Sequence, residues 1–276
     1  MSKIALVTGA SSGIGAAACR RLAARGFTVY AAARRQDRLA AIASPHILPL
    51  PLDLTRADSI ATAAARIADE AGRLDVLVNN AGYGAYGALE EVPIDEARRQ
   101  FEVNLFGLAA LTQHVLPLMR AQRSGRIINI SSIGGSTHEP FGAWYHATKF
   151  ALEGLSDCLR LELKPFGIQV VVIAPGGVRT EWGGIACDSL IATSGAGPYA
   201  PYARRHAGLL RAADQSRYLT EPDRIAQAIE RAALARRPRT RYLLGMGAKP
   251  LKIARVVLGD RGFDRLMWSM SQSRRA

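Results

Sequence analysis

A phenol and an ammonium lie four residues apart in Tyr145-His146-Ala147-Thr148-Lys149, with Ser132 thirteen residues upstream. On a helix, positions i and i+4 share a face, with Cβ atoms about 5–6 Å apart. A cation held there lowers the cost of ionising the phenol, whose ordinary pKa is about 10. Such a pair suits proton exchange with an alcohol or carbonyl oxygen near neutral pH. The spacing alone arises often by chance, so its weight depends on the rest of the chain.

A second stretch, Thr8-Gly9-Ala10-Ser11-Ser12-Gly13-Ile14-Gly15, lies near the start. Gly9, Gly13 and Gly15 allow a tight turn and a close approach of backbone to ligand. The amides opening the next helix then face an anion, such as a dinucleotide pyrophosphate. Gly9, Ser11 and Gly13 also satisfy the Gly-x-Ser-x-Gly elbow of serine hydrolases. That alternative needs an acid and a histidine further on; His138, His146 and His206 are available, none in a distinctive setting.

The elements that must hold these groups alternate along the chain. Lys3–Thr8 reads as a strand and residues 13–25 as a helix closed by Gly26. Further strands are expected at 28–33, 47–52, 76–79, 126–131, 169–174 and 241–244. Helices are expected at 57–71, at 94 to about 119, from Tyr145 to Leu163, and at 222–236. The third strand carries Pro49 and Pro51, which cannot donate to a ladder and so mark a sheet edge. In a doubly wound sheet of order 3-2-1-4-5-6, that strand is an edge. The expectation is a single α/β domain over residues 1–276, a parallel sheet of about seven strands in the order 3-2-1-4-5-6-7, with helices on both faces. Residues 177–219 show weak periodicity and read as a lid, and residues 246–276 as a basic amphipathic tail.

Bulk properties agree with a globular enzyme-sized domain. The 276 residues are 49% apolar and 21% charged, enough for a core. No run approaches the roughly 18 apolar residues of a membrane span. The opening Met1-Ser2-Lys3 leads straight into a core strand, too short for a signal peptide. Cys19, Cys158 and Cys187 match no metal spacing, so no metal is expected and the thiols read as inert ones in a reducing, cytoplasmic setting. The formal charge is +13, and from residue 201 onward 17 basic residues face 6 acidic ones. Scattered among apolar residues, this charge reads as a solvated surface rather than a nucleic-acid footprint.

The elements Thr8-Gly9-x-x-x-Gly13-x-Gly15, Asn79-Asn80-Ala81-Gly82, Asn104, Ser132, Tyr145-x-x-x-Lys149 and Pro175-Gly176-x-x-x-Thr180 together resemble the short-chain dehydrogenase/reductase family, with its Rossmann-type fold. Tyr83-Gly84, residues 101–107 and Pro165-Phe166-Gly167-Ile168 resemble its 17β-hydroxysteroid dehydrogenase-like branch. The resemblance implies that Tyr145 is the general acid/base, that Lys149 lowers its pKa and holds the nicotinamide ribose, and that Ser132 bonds the substrate oxygen. It implies that Asn104 orders a proton-relay water. Asparagine is a poor helix-interior residue, so its place among apolar neighbours is a local conflict. Without the resemblance, Asn104 reads as an exposed surface position.

For the cofactor, the resemblance implies contacts from Gly9, Ser11, Ser12, Gly13, Ile14, Gly15, Asp53, Leu54, Asn80, Ala81, Gly82, Tyr145, Lys149, Pro175, Gly176, Val178 and Thr180. Strand two ends Ala33-Arg34-Arg35, with alanine where an acid would bond a ribose 2′-hydroxyl. A guanidinium pairs well with a 2′-phosphate. NADP(H) is therefore expected, with Arg34 as the main ligand and Arg35 beside it. Tyr83, Tyr86, Phe141, Trp144, Trp182, Tyr199 and Tyr202 suggest a largely apolar pocket for a hydrophobic ketone, aldehyde or alcohol of steroid, retinoid or other lipid type. Other readings are an NADPH-binding regulatory protein without turnover, and the hydrolase using Ser11. A homodimer or homotetramer follows by analogy with the family. Leu251, Ile253, Val256 and Val257 with Lys249, Lys252 and Arg255 suggest a membrane-surface contact, a subunit contact or packing on the parent domain.

Overall fold

Alternation along the first strand decides which helices go where. In β1 (Lys3–Thr8), Ala5 and Val7 face one side of the sheet while Ile4 and Leu6 face the other. The same split recurs in β2 (Phe27–Ala33), β4 (Val76–Asn79), β5 (Gly125–Ile130) and β6 (Ile168–Pro175). With β3 (Ile47–Pro51) and β7 (Arg241–Leu244), these form one parallel sheet in the order β3-β2-β1-β4-β5-β6-β7. The proline-bearing β3 is an edge and pairs only with β2, Pro49 opposite Ala31. The structure is a computed structural model that describes residues 2–273; Met1 of the expected domain and residues 274–276 of the expected tail lie outside the described residues.

On the Ala5 and Val7 face pack α1 (Gly13–Ala24), α2 (Gln36–Ala40) and α9 (Pro222–Leu234), through Cys19, Leu22, Leu39, Ile225 and Ile229. On the opposite face pack α3 (Ala57–Ala71), α5 (Gly107–Gln122) and the end of α6 (Ala143–Glu162), through Ile60, Ile67, Leu111, Val115 and Leu159. Each fully buried aliphatic side chain contributes roughly 1.5–3 kcal/mol. A third cluster sits beyond the strand ends and gathers Tyr86, Tyr145, Ala186, Cys187, Leu190, Ala203 and Ala207.

Two expectations are corrected, and the tail takes a definite form. The long helix from 94 is two helices, α4 (Ile94–Phe101) and α5, joined by a π-helical turn at Glu102–Phe106. The weakly periodic segment 177–219 is two helices, α7 (Trp182–Ser194) and α8 (Ala200–Asp214). Their buried faces consist of Ala186, Cys187, Leu190 and Ser194, and of Ala203, His206 and Ala207. Small and polar residues carry the helical period there, so hydrophobic patterning misses it. The tail is α10 (Ala248–Ser271), broken at Gly259. Its second half packs inward through Phe263 and Met267, while Ile253, Val256 and Val257 of its first half stay exposed. Among the described residues, no helix is long and apolar enough to cross a membrane.

Candidate active site

The strand ends bring the expected groups to one edge of the sheet, where open α/β sheets hold ligands. Thr8 ends β1, and its Oγ1 accepts from the amides of Asn80 and Ala81, both at 3.0 Å. The Asn80 amide group in turn donates to the carbonyls of Thr8 at 2.9 Å and Gly9 at 3.3 Å. Asn80 thus braces the glycine turn from beneath. Gly9 lies at φ +65°, a left-handed conformation that favours glycine. A Cβ on Gly15 would sit 2.3 Å from the Gly9 carbonyl oxygen, so no side chain fits there. Ser12 occupies the N-cap of α1 but caps no amide with its hydroxyl. That leaves the first-turn amides to an external anion.

These features fit a dinucleotide. The glycine cradle, Ile14 and the opening amides of α1 would take the pyrophosphate. Asn80, Ala81 and Gly82 would form a wall. Pro175 ends β6, and Gly176 follows where a Cβ would collide with the Met246 carbonyl. Val178 bridges to Thr220, and the Thr180 methyl lies 3.0 Å from where a Gly13 Cβ would be. Asp53 turns its Oδ1 onto Thr55, accepting from its amide at 3.0 Å and its hydroxyl at 2.8 Å. Burial opposes its charge, but the Thr55 bonds and the Arg34 and Arg56 charges hold it below its ordinary pKa. Leu54 buries its side chain in the core, leaving its backbone for any ligand contact.

The arginines differ from expectation. Arg35, rather than Arg34, stands against the glycine turn. Its Nε donates to Ser11 Oγ at 3.1 Å and its Nη2 to Ser12 Oγ at 2.8 Å. Its Nη1 meets Glu181 Oε2 at 3.0 Å, and Arg38 grips the other oxygen of Glu181. Arg34 is turned to the side of Asp53 and Tyr83, where its charge is felt. Ser11 is therefore bound to a guanidinium. His138 pairs with Asp264, and His146 and His206 flank Glu139, so the hydrolase elbow has no histidine beside its serine.

At the other end of the cleft, Asn104 sits inside the π-helical turn and is buried rather than exposed. Such turns occur often at functional sites. Its Nδ2 donates to the Tyr83 carbonyl at 2.9 Å and to Thr148 Oγ1 at 3.1 Å, and its Oδ1 accepts from the Tyr83 amide at 3.0 Å. Asn104 Oδ1 and Lys149 Nζ meet over Gly82, 3.1 and 3.6 Å from where its Cβ would be. Lys149 donates to the Ile130 carbonyl at 3.0 Å. Ser132 accepts from the Gly134 amide at 3.0 Å, and its hydroxyl lies near enough to the Tyr145 phenol to pull its pKa down. The neighbouring Ser131 is turned toward Gly135.

Tyr145 is buried in the third cluster, 5.0 Å from the Trp182 ring and 6.0 Å from Tyr86 between centroids. Burial pushes its pKa up to about 12; the Ser132 hydroxyl opposes this and the Glu139 charge adds to it. Burial also pushes Lys149 down to about 8. Burial thus holds the phenol above its ordinary pKa even with Lys149 beside it. The ammonium is itself desolvated, bonded to a carbonyl, and 5.9 Å from the Tyr145 ring centre.

Other groups at the site escaped the sequence reading. Glu139 accepts from Tyr86 Oη at 2.6 Å, with His146 Nε2 at 3.9 Å and His206 Nε2 at 3.8 Å. Burial works against its charge, but the histidines and Tyr86 keep its pKa low. Phe141 is held at φ +66°, a strained position for a bulky residue. Its carbonyl accepts from Gly87 at 2.8 Å, and its ring covers His206. Of the other aromatics, Trp182 and Tyr86 join Tyr145. Trp144 lies on Phe101, Tyr199 on Phe141 and Tyr202 on Trp268, while Tyr83 bonds Glu96. Glu139 lies between Ser132 and Tyr145 in sequence, which is the one available hint. Nothing local links Glu181 to Arg35 and Arg38, which follow β2.

Comparison with known proteins follows the same lines. A family model described as short chain dehydrogenase matches residues 3–185. An NADPH-dependent 3-dehydrocapnine reductase from Ornithobacterium rhinotracheale is 34% identical over 279 residues, covering 96% of each chain. A 3-ketodihydrosphingosine reductase from Bacteroides thetaiotaomicron is 42% identical over 178 residues, 64% of this chain and 65% of that one. A solved short-chain dehydrogenase from Streptomyces avermitilis superposes with a TM-score of 0.79 at 36% identity, covering 93% of this chain and 92% of that one.

Proposed function

The chain belongs to the short-chain dehydrogenase/reductase family, and from that premise we propose that it is an NADP(H)-dependent oxidoreductase interconverting a carbonyl and an alcohol on a hydrophobic substrate. The observation that carries this reading is the buried Tyr145, with Ser132 and Lys149 beside it, among Trp182, Tyr86 and the small apolar residues of the lid. The nicotinamide, when bound, supplies the hydride to the carbonyl carbon. Tyr145 Oη gives its proton to the carbonyl oxygen, and the Ser132 hydroxyl bonds that oxygen as charge grows on it. A phenol held near 12 stays protonated throughout the neutral range. The Lys149 ammonium lies close enough to offset the negative charge left on the phenolate. α7 and α8 pack against the Tyr145 ring through Ala186, Cys187, Leu190, Ala203 and Ala207.

The apolar lid supports a lipid-like ketone or aldehyde. The two named relatives are a 3-ketodihydrosphingosine reductase and an NADPH-dependent 3-dehydrocapnine reductase. The cluster of Arg35 and Arg38, with Arg34 nearby, supports NADP(H). Comparing kcat/KM for NADPH and NADH in the wild type and Arg35→Ala tests this. NADPH preference should fall by tenfold or more on losing a charge-assisted bond. An NADH preference in the wild type would overturn it. The exposed Phe106 and Phe150 also support a homo-oligomer, readable by light scattering.

A further inference from the structure

Among the described residues, Glu181 is the carboxylate that pairs with Arg35 and Arg38 at the glycine turn. Both of its oxygens are taken, one by Arg35 and one by Arg38. Arg35 is also held by Ser11 and Ser12, whose hydroxyls accept from it. Each serine keeps its own O–H proton to donate. Two guanidinium groups and two hydroxyls around a carboxylate form an array that binds an anion. Glu181 is supplied by this chain's lid, since it immediately precedes the first residue of α7. The next residue, Trp182, lies 5.0 Å from the Tyr145 ring and 5.9 Å from Tyr86.

We propose that Glu181 is the counter-charge of the phosphate subsite: it holds Arg35 and Arg38 in place and ties the lid to them until the 2′-phosphate of NADP(H) takes its place. This rests on the NADP(H) reading above. A phosphate monoester carries about −1.5 to −2 charge and three acceptor oxygens, against one charge and two oxygens for the carboxylate. Like charges cannot share the two guanidinium groups without repulsion, and the exposed pairs are weak enough to exchange. Release of Glu181 frees the backbone that sets Trp182 over Tyr145. Glu181 therefore sets the discrimination between NADPH and NADH, and makes the lid respond to the phosphate.

The test measures Kd for NADPH and NADH by calorimetry on the full chain, wild type and Glu181→Gln. The variant should bind NADPH about three- to tenfold more tightly, with NADH changed less than twofold. Hydrogen exchange on the wild type gives a second reading without substitution. Adding 2′,5′-ADP should speed exchange in the first turn of α7 severalfold, whereas 5′-ADP should not. Unchanged or weaker NADPH binding by Glu181→Gln, or exchange indifferent to 2′,5′-ADP, overturns the role of Glu181 while leaving the cofactor reading intact. A wild type that prefers NADH removes both.

Discussion

At the β2 end of the cleft, Arg35, Arg38, Glu181, Ser11 and Ser12 bond to one another in the open, with Arg35 and Glu181 side chains 42% and 45% exposed. At the β5 and α6 end, Tyr145, Lys149 and Asn104 are buried, with Lys149 donating to the Ile130 carbonyl and Asn104 to the Tyr83 carbonyl. Exposed ion pairs exchange partners cheaply, which suits recognition of a ligand anion. Buried groups are moved off their ordinary pKa values, which suits proton transfer. The same cleft thus reads charge at one end and sets protonation at the other. The glycine turn, braced by Asn80, joins the two.

The severest break is Gly15→Ala, which acts on that junction. Its Cβ would fall 2.3 Å from the Gly9 carbonyl, which Asn80 holds from below. An overpacking strain of about 1–3 kcal/mol predicts a loss of NADPH affinity of roughly five- to 150-fold. Fluorescence titration would show it, and unchanged affinity would mean that the turn does not hold the cofactor.

A smaller effect separates the two ends by pH. Lys149 titrates at about 8, so its ammonium dominates below that pH and its amine above it. Tyr145 stays protonated across the same window because its pKa lies near 12. The kcat/KM for carbonyl reduction should therefore be level below about pH 8 and fall up to tenfold per unit above it, while the NADPH preference set by the arginines stays constant. A reduction rate that rises from pH 7 to 9 would contradict the assignment.

What could be read from the chain follows from what is local. The glycine turn, the prolines of β3 and the shared helix face of Tyr145 and Lys149 are short-range features, and each lies where spacing puts it. Asn104 announced a conflict with its helix, and the π-helical turn is how the backbone resolves it. The lid helices were obscured because Ala186, Ala203, His206 and Ala207 carry their inner faces. Glu181 reaches arginines more than 140 positions away, a contact that only the sheet order creates. The desolvation of Lys149 is likewise absent from a four-residue spacing, because burial belongs to the fold.

The central claim is that Tyr145 gives the proton that completes carbonyl reduction. Its most direct test follows NADPH consumption with a long-chain ketone in the wild type and in Tyr145→Phe, with NADPH binding measured in both. The account predicts that the variant binds NADPH normally and loses at least a hundredfold in kcat. Turnover within a fewfold of the wild type would contradict it.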